Sequence, residues 1–525
     1  MSSSLGLLRF APLALGAVVF VAGCFSASKD CWRTLTCGPD SGGAGGAGGA
    51  GGAGGAPDAG MRCIADPGTA SSIDDCGIFV SSSRGHDKSP GTRDAPVRTI
   101  GLALKLAAEA EQRVYACAEL FSEAVVVPSG FTLFGGLDCH DGWAYIGAST
   151  RTMIKPLESA IALTFLKGEH GLSLVTDVHA EGPNASAPGA SSIAALAREG
   201  SEVELRRCTL VANHGAAGWP GEPGDEHNMP SDAGASGKAG AGACSADMVS
   251  GGAQVKTSCG GLTSIGAQGG NGGPTSGTTG ADGQPSPSPN PQGHGLGGTG
   301  DGAGVSCIEG TTGADGANGK DALGAHGPGH ISDSGYRADA AADGEDGLPG
   351  QGGGGGGGRR GGALFCGVGP KGGAAGGSGG SGGCGGKGGK GGQAGGSSIA
   401  LVSLAQSLKL AVCHLTAGDA GDGGNGGVNQ IGGPPGIAGE GGMGKNGSGF
   451  GCAGGQGGKG GNGGNGGGGL GGSSIAFAYN SLGADLKASN LVVGKRGKGG
   501  YGGNPNLMGS AGEDGIAQPL APLLP

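Results

Sequence analysis

A chain of 525 residues with 135 glycines, 27 prolines and only 4% aromatics cannot fill several ordinary domain cores, and that share of glycine and proline belongs to periodic or low-complexity sequence. A formal charge of −10 and a pI near 5.5 argue against a nucleic-acid partner, which demands a basic surface.

The N-terminus reads as an address. Arg9 precedes an apolar run from Phe10 to Ala22, the layout of a secretory signal. That run is shorter than the ~20 residues a spanning helix needs. Val21-Ala22-Gly23-Cys24 resembles a bacterial lipobox. The resemblance implies cleavage of residues 1–23 and diacylglycerol on Cys24, making the membrane a partner through an N-terminal lipid anchor. Phe25, where retained lipoproteins carry Asp, implies the outer membrane or cell surface. Residues 24–60 then read as a tether around five Gly-Gly-Ala triplets, Gly42 to Ala56, too poor in apolar surface to fold alone. Setting Cys24 aside from the 15 cysteines leaves an even number, expected as disulfides in an oxidising compartment. The near-neighbour pairs are Cys31 with Cys37, Cys63 with Cys76, and Cys117 with Cys139.

Residues 61–215 form the first apolar region. Ile78-Phe79-Val80 reads as a strand, Gly85 to Pro96 as a loop, and Leu102, Leu104, Leu106, Ala107 and Ala110 as a short helix. Strands follow at Arg113–Ala116, Ala124–Val127 and Phe131–Gly136, the last after a Pro-Ser-Gly turn. The run F-V-S-S-S-R-G-H-D-K-S-P-G-T-R-D-A-P-V-R-T-I, with Glu123, Pro128-Ser129-Gly130 and L-F-G-G after it, resembles the N-terminal cap and first rungs of pectate-lyase-like proteins. The likeness covers residues 78–136, with Val97 where that family often has an aromatic. It implies an all-β fold, a right-handed parallel β-helix whose open end is covered by the helix.

Three later segments repeat one hydrophobic spacing. Ser191-Ser192-Ile193-Ala194, Ser397-Ser398-Ile399-Ala400 and Ser473-Ser474-Ile475-Ala476 are followed by Val203-x-Leu205-x4-Leu210, Leu408-x-Leu410-x4-Leu415 and Ala484-x-Leu486-x4-Leu491. A looser copy has Ile161, Leu172-x-Leu174 and Val178. Each copy holds two short apolar strands, which become stable only by stacking on further copies, as in a solenoid. Rungs are expected at 397–418 and 473–494. Cys208 and Cys413 are equivalent in this spacing, forming an apolar ladder or a bond between rungs. Asp177, His179 and the series Thr209, His414, Asn490 read as outward, solvated positions.

Between the copies lie glycine-rich insertions, 216–396 and 419–472, with a similar tail at 495–525. Ser378, Ser381, Cys384, Lys387, Lys390 and Gln393 are each separated by two glycines. Three residues per turn is the period of polyproline II; packed polyproline II helices, disordered loops and collagen-like pieces all fit it.

The best chemical constellation is Asp138, His140 and Asp141 beside Trp143, which could bind a cation or shuttle protons. The same residues suit an exposed turn with Cys139 in a disulfide. Gly-x-Gly-x-x-Gly recurs without a strand-to-helix setting, and no cofactor or metal site is expected. The expected function is a non-enzymatic cell-surface lipoprotein, structural or adhesive in the envelope or matrix. The alternative is a polysaccharide-binding or polysaccharide-degrading protein.

Overall fold

Residues 66–69, 77–110, 113–157, 160–302, 305–367, 369–481 and 484–524 are described in this computed structural model. The lipobox, the tether and Cys31, Cys37, Cys63 and Cys76 lie outside the described residues.

Strand β1 (Gly77–Val80) leads through the loop into helix α1 (Ile100–Ala110). The loop motif has a physical reason at each conspicuous residue. A Cβ on Gly85 would lie 2.0 Å from the carbonyl oxygen of Val97, which is itself wholly buried. Oδ1 of Asp87 accepts the N–H groups of Arg98 and Thr99 at 2.9 and 3.0 Å. Oε1 and Oε2 of Glu123 accept those of Ile100 and Gly101 at 2.7 and 3.1 Å, supplying acceptors and negative charge where the first turn of α1 needs both. Ile100, Ala103, Leu104 and Ala107, spaced as one helical face, are buried. That face packs on the first strands, and Leu104→Ala would cost about 2–5 kcal/mol.

The chain then cycles through three sheets. β2 (Arg113–Cys117), β3 (Leu120–Phe121) and β4 (Val125–Val127) make the first circuit. β5 (Thr132–Asp138), the short β6 (Ala144–Tyr145), β7 (Thr152–Ile154) and β8 (Leu163–Phe165) make the second. β9 (Ser173–Thr176), β10 (Val178–Glu181), β11 (Ser192–Ala197), β12 (Glu202–Arg206) and β13 (Thr209–Ala212) continue it. Two hairpins lie inside the first insertion, β14 (Val255–Cys259) with β15 (Leu262–Gly266) and β16 (His330–Ser332) with β17 (Gly335–Arg337). The circuits resume with β18 (Ser398–Ser403), β19 (Ser407–Ala411), β20 (His414–Ala417), β21 (Ser474–Tyr479), β22 (Ala484–Lys487), β23 (Asn490–Val492) and β24 (Ala517–Pro522).

The first sheet runs β1-β2-β5-β9-β12-β19-β22 with β6 attached antiparallel to β5; the second runs β3-β7-β10-β13-β20-β23 and the third β4-β8-β11-β18-β21-β24. Apart from β6 every pairing in these sheets is parallel, for example Ile193 beside Ile399 beside Ile475. The result is an all-β body of parallel sheets with no closed barrel, an arrangement compatible with a parallel β-helix. Each repeat copy contributes three strands rather than two. The extra one is the short segment around Leu210, Leu415 or Leu491, set off by a left-handed residue at Arg207, Val412 or Ala488.

All three glycine-rich segments leave after a second-sheet strand (β13, β20, β23) and return at a third-sheet strand (β18, β21, β24). They therefore share one corner. The Ser-Ser pair explains how that corner closes. Ser398 Oγ accepts the N–H of Gly418 at 2.8 Å and donates to the carbonyl of Asn213 at 2.6 Å. Ser474 Oγ does the same for Gly494 and Gly418 at 2.9 and 2.8 Å. The first serine of each pair links rungs: Ser191 Oγ accepts from Ser397 N–H at 2.9 Å, and Ser397 Oγ from Ser473 N–H at 2.8 Å. The isoleucines of the motif face outward under the β16–β17 hairpin, in a cluster with Ile331 and Tyr336.

The glycine segments are neither strand nor helix, yet they are packed through backbone hydrogen bonds at a three-residue interval. Gly218, Gly221 and Gly224 donate to Asp422, Asn425 and Val428. Segment 375–396 is surrounded: Cys384 donates to Asp232 at 2.8 Å and accepts from Gly433 at 2.8 Å, while Gly383 donates to Gly458 at 3.0 Å and accepts from Gly350 at 2.9 Å. Disulfides Cys244–Cys366, Cys259–Cys384 and Cys307–Cys452 staple this body across 122, 125 and 145 residues of sequence. Closures of that length restrict the unfolded chain by about 4–5 kcal/mol each in the chain-entropy account.

Candidate functional site

The turn after β5 holds the residues singled out from sequence. Asp138 Oδ1 accepts the N–H groups of His140 and Asp141 at 2.9 and 3.3 Å, and its carbonyl accepts that of Trp143 at 2.8 Å. Asp138 therefore organises the turn. Trp143, at φ 62°, is buried against Phe79, with ring centroids 4.8 Å apart, and its Nε1 donates to Arg93 O at 3.2 Å. His140 and Asp141 remain exposed. Cys117 and Cys139 are bonded, so the turn is tied to the end of β2.

His140 does meet a carboxylate, though not either of the expected aspartates: its Nε2 lies 3.5 Å from Glu119 Oε1. Glu119 was not singled out from sequence. Its Oε2 accepts from Ser81 Oγ, Ser82 Oγ and Ser83 N–H at 3.0, 3.0 and 3.2 Å, and Oε1 accepts from Ser83 Oγ. Burial pushes this carboxyl up, but the hydrogen bonds from Ser83, Ser82 and Ser81 outweigh it and hold Glu119 below the usual range. The triple serine was the available signal. Cys117, Glu119 and Cys139 are the one grouping of metal-ligating residue types among the described residues. Two of the three are sulfurs of the disulfide and offer no thiolate, while Glu119 is occupied by its serines.

A second polar cluster sits where first-sheet strands turn into second-sheet strands. Asp177, expected to be solvated, is buried and held by Arg207, whose Nε and Nη2 donate to Oδ1 and Oδ2 at 2.9 and 2.7 Å. Tyr145 Oη donates to the same carboxylate at 2.9 Å, and Arg207 also reaches Asp66 at 2.9 Å. The bidentate pairing with Asp177 holds the Arg207 guanidinium firmly charged. Asp177 has φ 55°, so the corner needs a residue that tolerates the left-handed region, and Asp does so better than most.

On the second sheet, His179 stands in register with Met153 and Thr209, and Thr209 with His414 and Asn490, the series expected from the spacing. His179 is half-buried, and burial lowers its pKa against the pull of Glu181. Cys208 and Cys413 are buried and unbonded, on adjacent rungs, with His414 N–H donating to Cys208 O at 2.9 Å. Burial pushes the Cys208 thiol up, and both side chains pack as small apolar groups of the core.

The polar third positions of the glycine tracts serve neighbouring segments. Asp315, Asn318 and Asp321 accept the N–H groups of Lys459, Asn462 and Asn465 at 2.7, 2.8 and 2.6 Å. Ser378 and Ser381 accept those of Lys238 and Ala235 at 2.7 Å. No protein-family model, no curated protein and no solved structure matches this chain.

Proposed function

We propose that this chain is a cell-surface lipoprotein with a structural or adhesive role, lipid-anchored at Cys24. In this reading a right-handed parallel β-helix carries a body of packed polyproline II helices, held off the membrane by the Gly-Gly-Ala tether. The observation that carries it is the use made of the polar side chains. Asp315, Asn318, Asp321, Ser378 and Ser381 each accept a backbone N–H of a neighbouring segment, and Glu119, Glu123 and Asp177 close turns, a helix end and a corner. Their chemistry goes into rigidity. Long disulfide closures in the same body fit an extracellular compartment.

The test is metabolic labelling with a palmitate analogue together with envelope fractionation. The wild-type chain is expected to take up label and sediment with membranes. Cys24→Ala should abolish both, and unchanged fractionation of that variant would refute the anchor. A polysaccharide-binding role is the second reading, favoured by the exposure of His140 and Asp141 on one rigid turn. Binding on a broad glycan panel that weakens with Asp141→Ala would support it.

A further inference from the structure

Segment 419–443 carries a row of side chains at every third residue, and the row changes character half-way. In its first half the row is polar and hydrogen-bonded to the adjoining glycine segment, although Asp422 and Asn425 keep exposed side chains. Asp419, Asp422 and Asn425 accept through Oδ1 the N–H groups of Lys495, Lys498 and Tyr501 at 2.8, 2.7 and 2.9 Å. Ala420, Gly423 and Gly426 donate back to the carbonyls of the same three residues. The adjoining segment then turns away, with Leu507 N–H bonding Asn504 O at 3.1 Å and Ser510 N–H bonding Leu507 O at 3.2 Å. Beyond that point the same row becomes apolar. Val428 is 49% exposed, Ile431 42%, Ile437 63% and Met443 71%, with Pro434 between them also exposed. Met229, 61% exposed, extends the patch sideways, since its neighbour Ser231 donates to Ile431 O at 2.9 Å.

From these observations we infer that the apolar half of this row is a homotypic docking surface, on which a second copy of the same chain seats its own row. Contiguous exposed apolar patches on a folded body mark interaction sites. This one continues a face on which the protein already docks one of its own glycine segments. Its length, about 46 Å at about 3.1 Å per residue, and its regular ridge of one side chain per about 9.3 Å are matched by an identical ridge. With the two-fold axis perpendicular to the row, the two copies run antiparallel and their ridges mesh when shifted by half a period. The axis then passes between Pro434 and Ile437, and each copy buries the same residues, as an isologous contact requires. Glu440 is the one charged residue within the stripe and Val428, Ile431, Pro434, Ile437 and Met443 carry no charge, so the row itself selects an apolar partner over an ionic polymer. The inference concerns the folded body and stands whether or not Cys24 is lipidated.

The test is sedimentation equilibrium of the purified, unlipidated chain from Phe25 onward. The wild-type protein is expected to approach twice its monomer mass as concentration rises through the micromolar range. Ile431→Asp with Ile437→Asp should keep the monomer mass throughout. Both side chains are exposed and touch no core cluster, and unchanged amide protection of the parallel sheets would verify the fold. In a second measurement, Ile437→Cys should cross-link to its own copy with a short bismaleimide, whose reach spans the offset between the two meshed ridges, while Leu348→Cys, exposed on a different segment, should not. A wild-type chain that stays monomeric at about 100 μM, or a dimer that survives the double aspartate variant, would overturn the inference. So would a monomer that binds phosphatidylglycerol vesicles or a polysaccharide through the stripe instead.

Discussion

Ser398 and Gly418 lie at opposite ends of one circuit and close it. The Ser398 hydroxyl takes the Gly418 N–H at 2.8 Å where the chain departs into its second glycine insertion. Ser474 repeats the contact with Gly494 at 2.9 Å. The insertions are thus clasped at their mouths and keep the stacking interval of the strands they interrupt. Ser398 pairs with Ser474, and just before them Gly395, Gly392 and Gly389 donate to Leu470, Gly467 and Gly464.

Ser398→Ala removes the acceptor and leaves the Gly418 N–H without its partner, a loss of about 1–3 kcal/mol. The expected result is faster exchange at Gly418 and lower resistance to urea, with the strands β18 and β21 still formed. Ser474→Ala should do the same at Gly494. Protection at Gly418 equal to wild type in the Ser398→Ala protein would mean that the clasp carries no stability.

Close backbone packing makes a second expectation. A Cβ on Gly382 would lie 2.0 Å from Gly350 O, and one on Gly383 2.1 Å from Gly433 O. Backbone lies on both sides, so neither neighbour can yield as a side chain would. Gly382→Ala and Gly383→Ala should each cost at least the 1–3 kcal/mol typical of overpacking, read as a lower thermal midpoint. Lys387→Ala, at an exposed third position of the same tract, should stay within about 0.5 kcal/mol of wild type. Equal effects from the three substitutions would refute close packing as the reason for glycine here.

Much of this architecture is legible in the sequence because it is periodic. The Ile and Leu spacing marks stacked strands, and the equivalence of Cys208 with Cys413 follows from it. The third strand of each circuit is hidden because a segment such as Thr209–Ala212 is short and begins just after β12 ends at Arg206, so the two read as one apolar run. Spacing cannot reveal Cys259–Cys384, since their proximity depends on how the glycine segments fold back. The Glu119 serine cradle joins the turns that follow β1 and β2, which are neighbours only in space. Asp177 looked like a surface residue because its partner Arg207 is 30 residues away. The triplet period itself did not separate packed from disordered chain. What decides it is the supply of acceptors, Asp315, Asn318 and Asp321 among them, for N–H groups on neighbouring segments.

Acid should loosen the protein through identifiable carboxylates. Glu119 lies below its ordinary value because the serine hydrogen bonds overcome burial. Asp343 is lowered chiefly by the Gly391 N–H, and Asp321 by Asn465 and Asn504 against burial. A lowered folded-state pKa gives stability that is complete above the unfolded value of about 4 and is lost as pH falls through the folded one. Glu123, raised by burial, works in the opposite direction: its contribution is present below the unfolded value and fades as pH rises. Burial raises Glu181 too, but hydrogen bonds from Lys155 and Asn213 outweigh it and hold it low; the four lowered groups outnumber Glu123, so stability should fall with acid below about pH 4.5. Glu119→Gln should be less stable than wild type at neutral pH and show a shallower acid slope. Parallel slopes for the two proteins would remove Glu119 from this account.

Amide exchange gives the most demanding test of the glycine body, because it distinguishes residues one apart. Along 428–443, Gly433, Gly436, Gly439 and Gly442 donate to Cys384, Ser381, Ser378 and Ala375 at 2.8 to 2.9 Å. The amides of Val428, Ile431, Ile437 and Met443 have no hydrogen-bond partner among the described residues. Exchange requires the hydrogen bond to open, and bonded amides inside a cooperative body open rarely. At concentrations low enough to keep the chain monomeric, residue-resolved exchange should therefore alternate with a three-residue period, slow at the four glycines and fast at the four apolar residues. Uniformly fast exchange would mean that the glycine tracts do not form a packed body in solution. Uniformly slow exchange would mean that a further layer covers the apolar row even in the monomer.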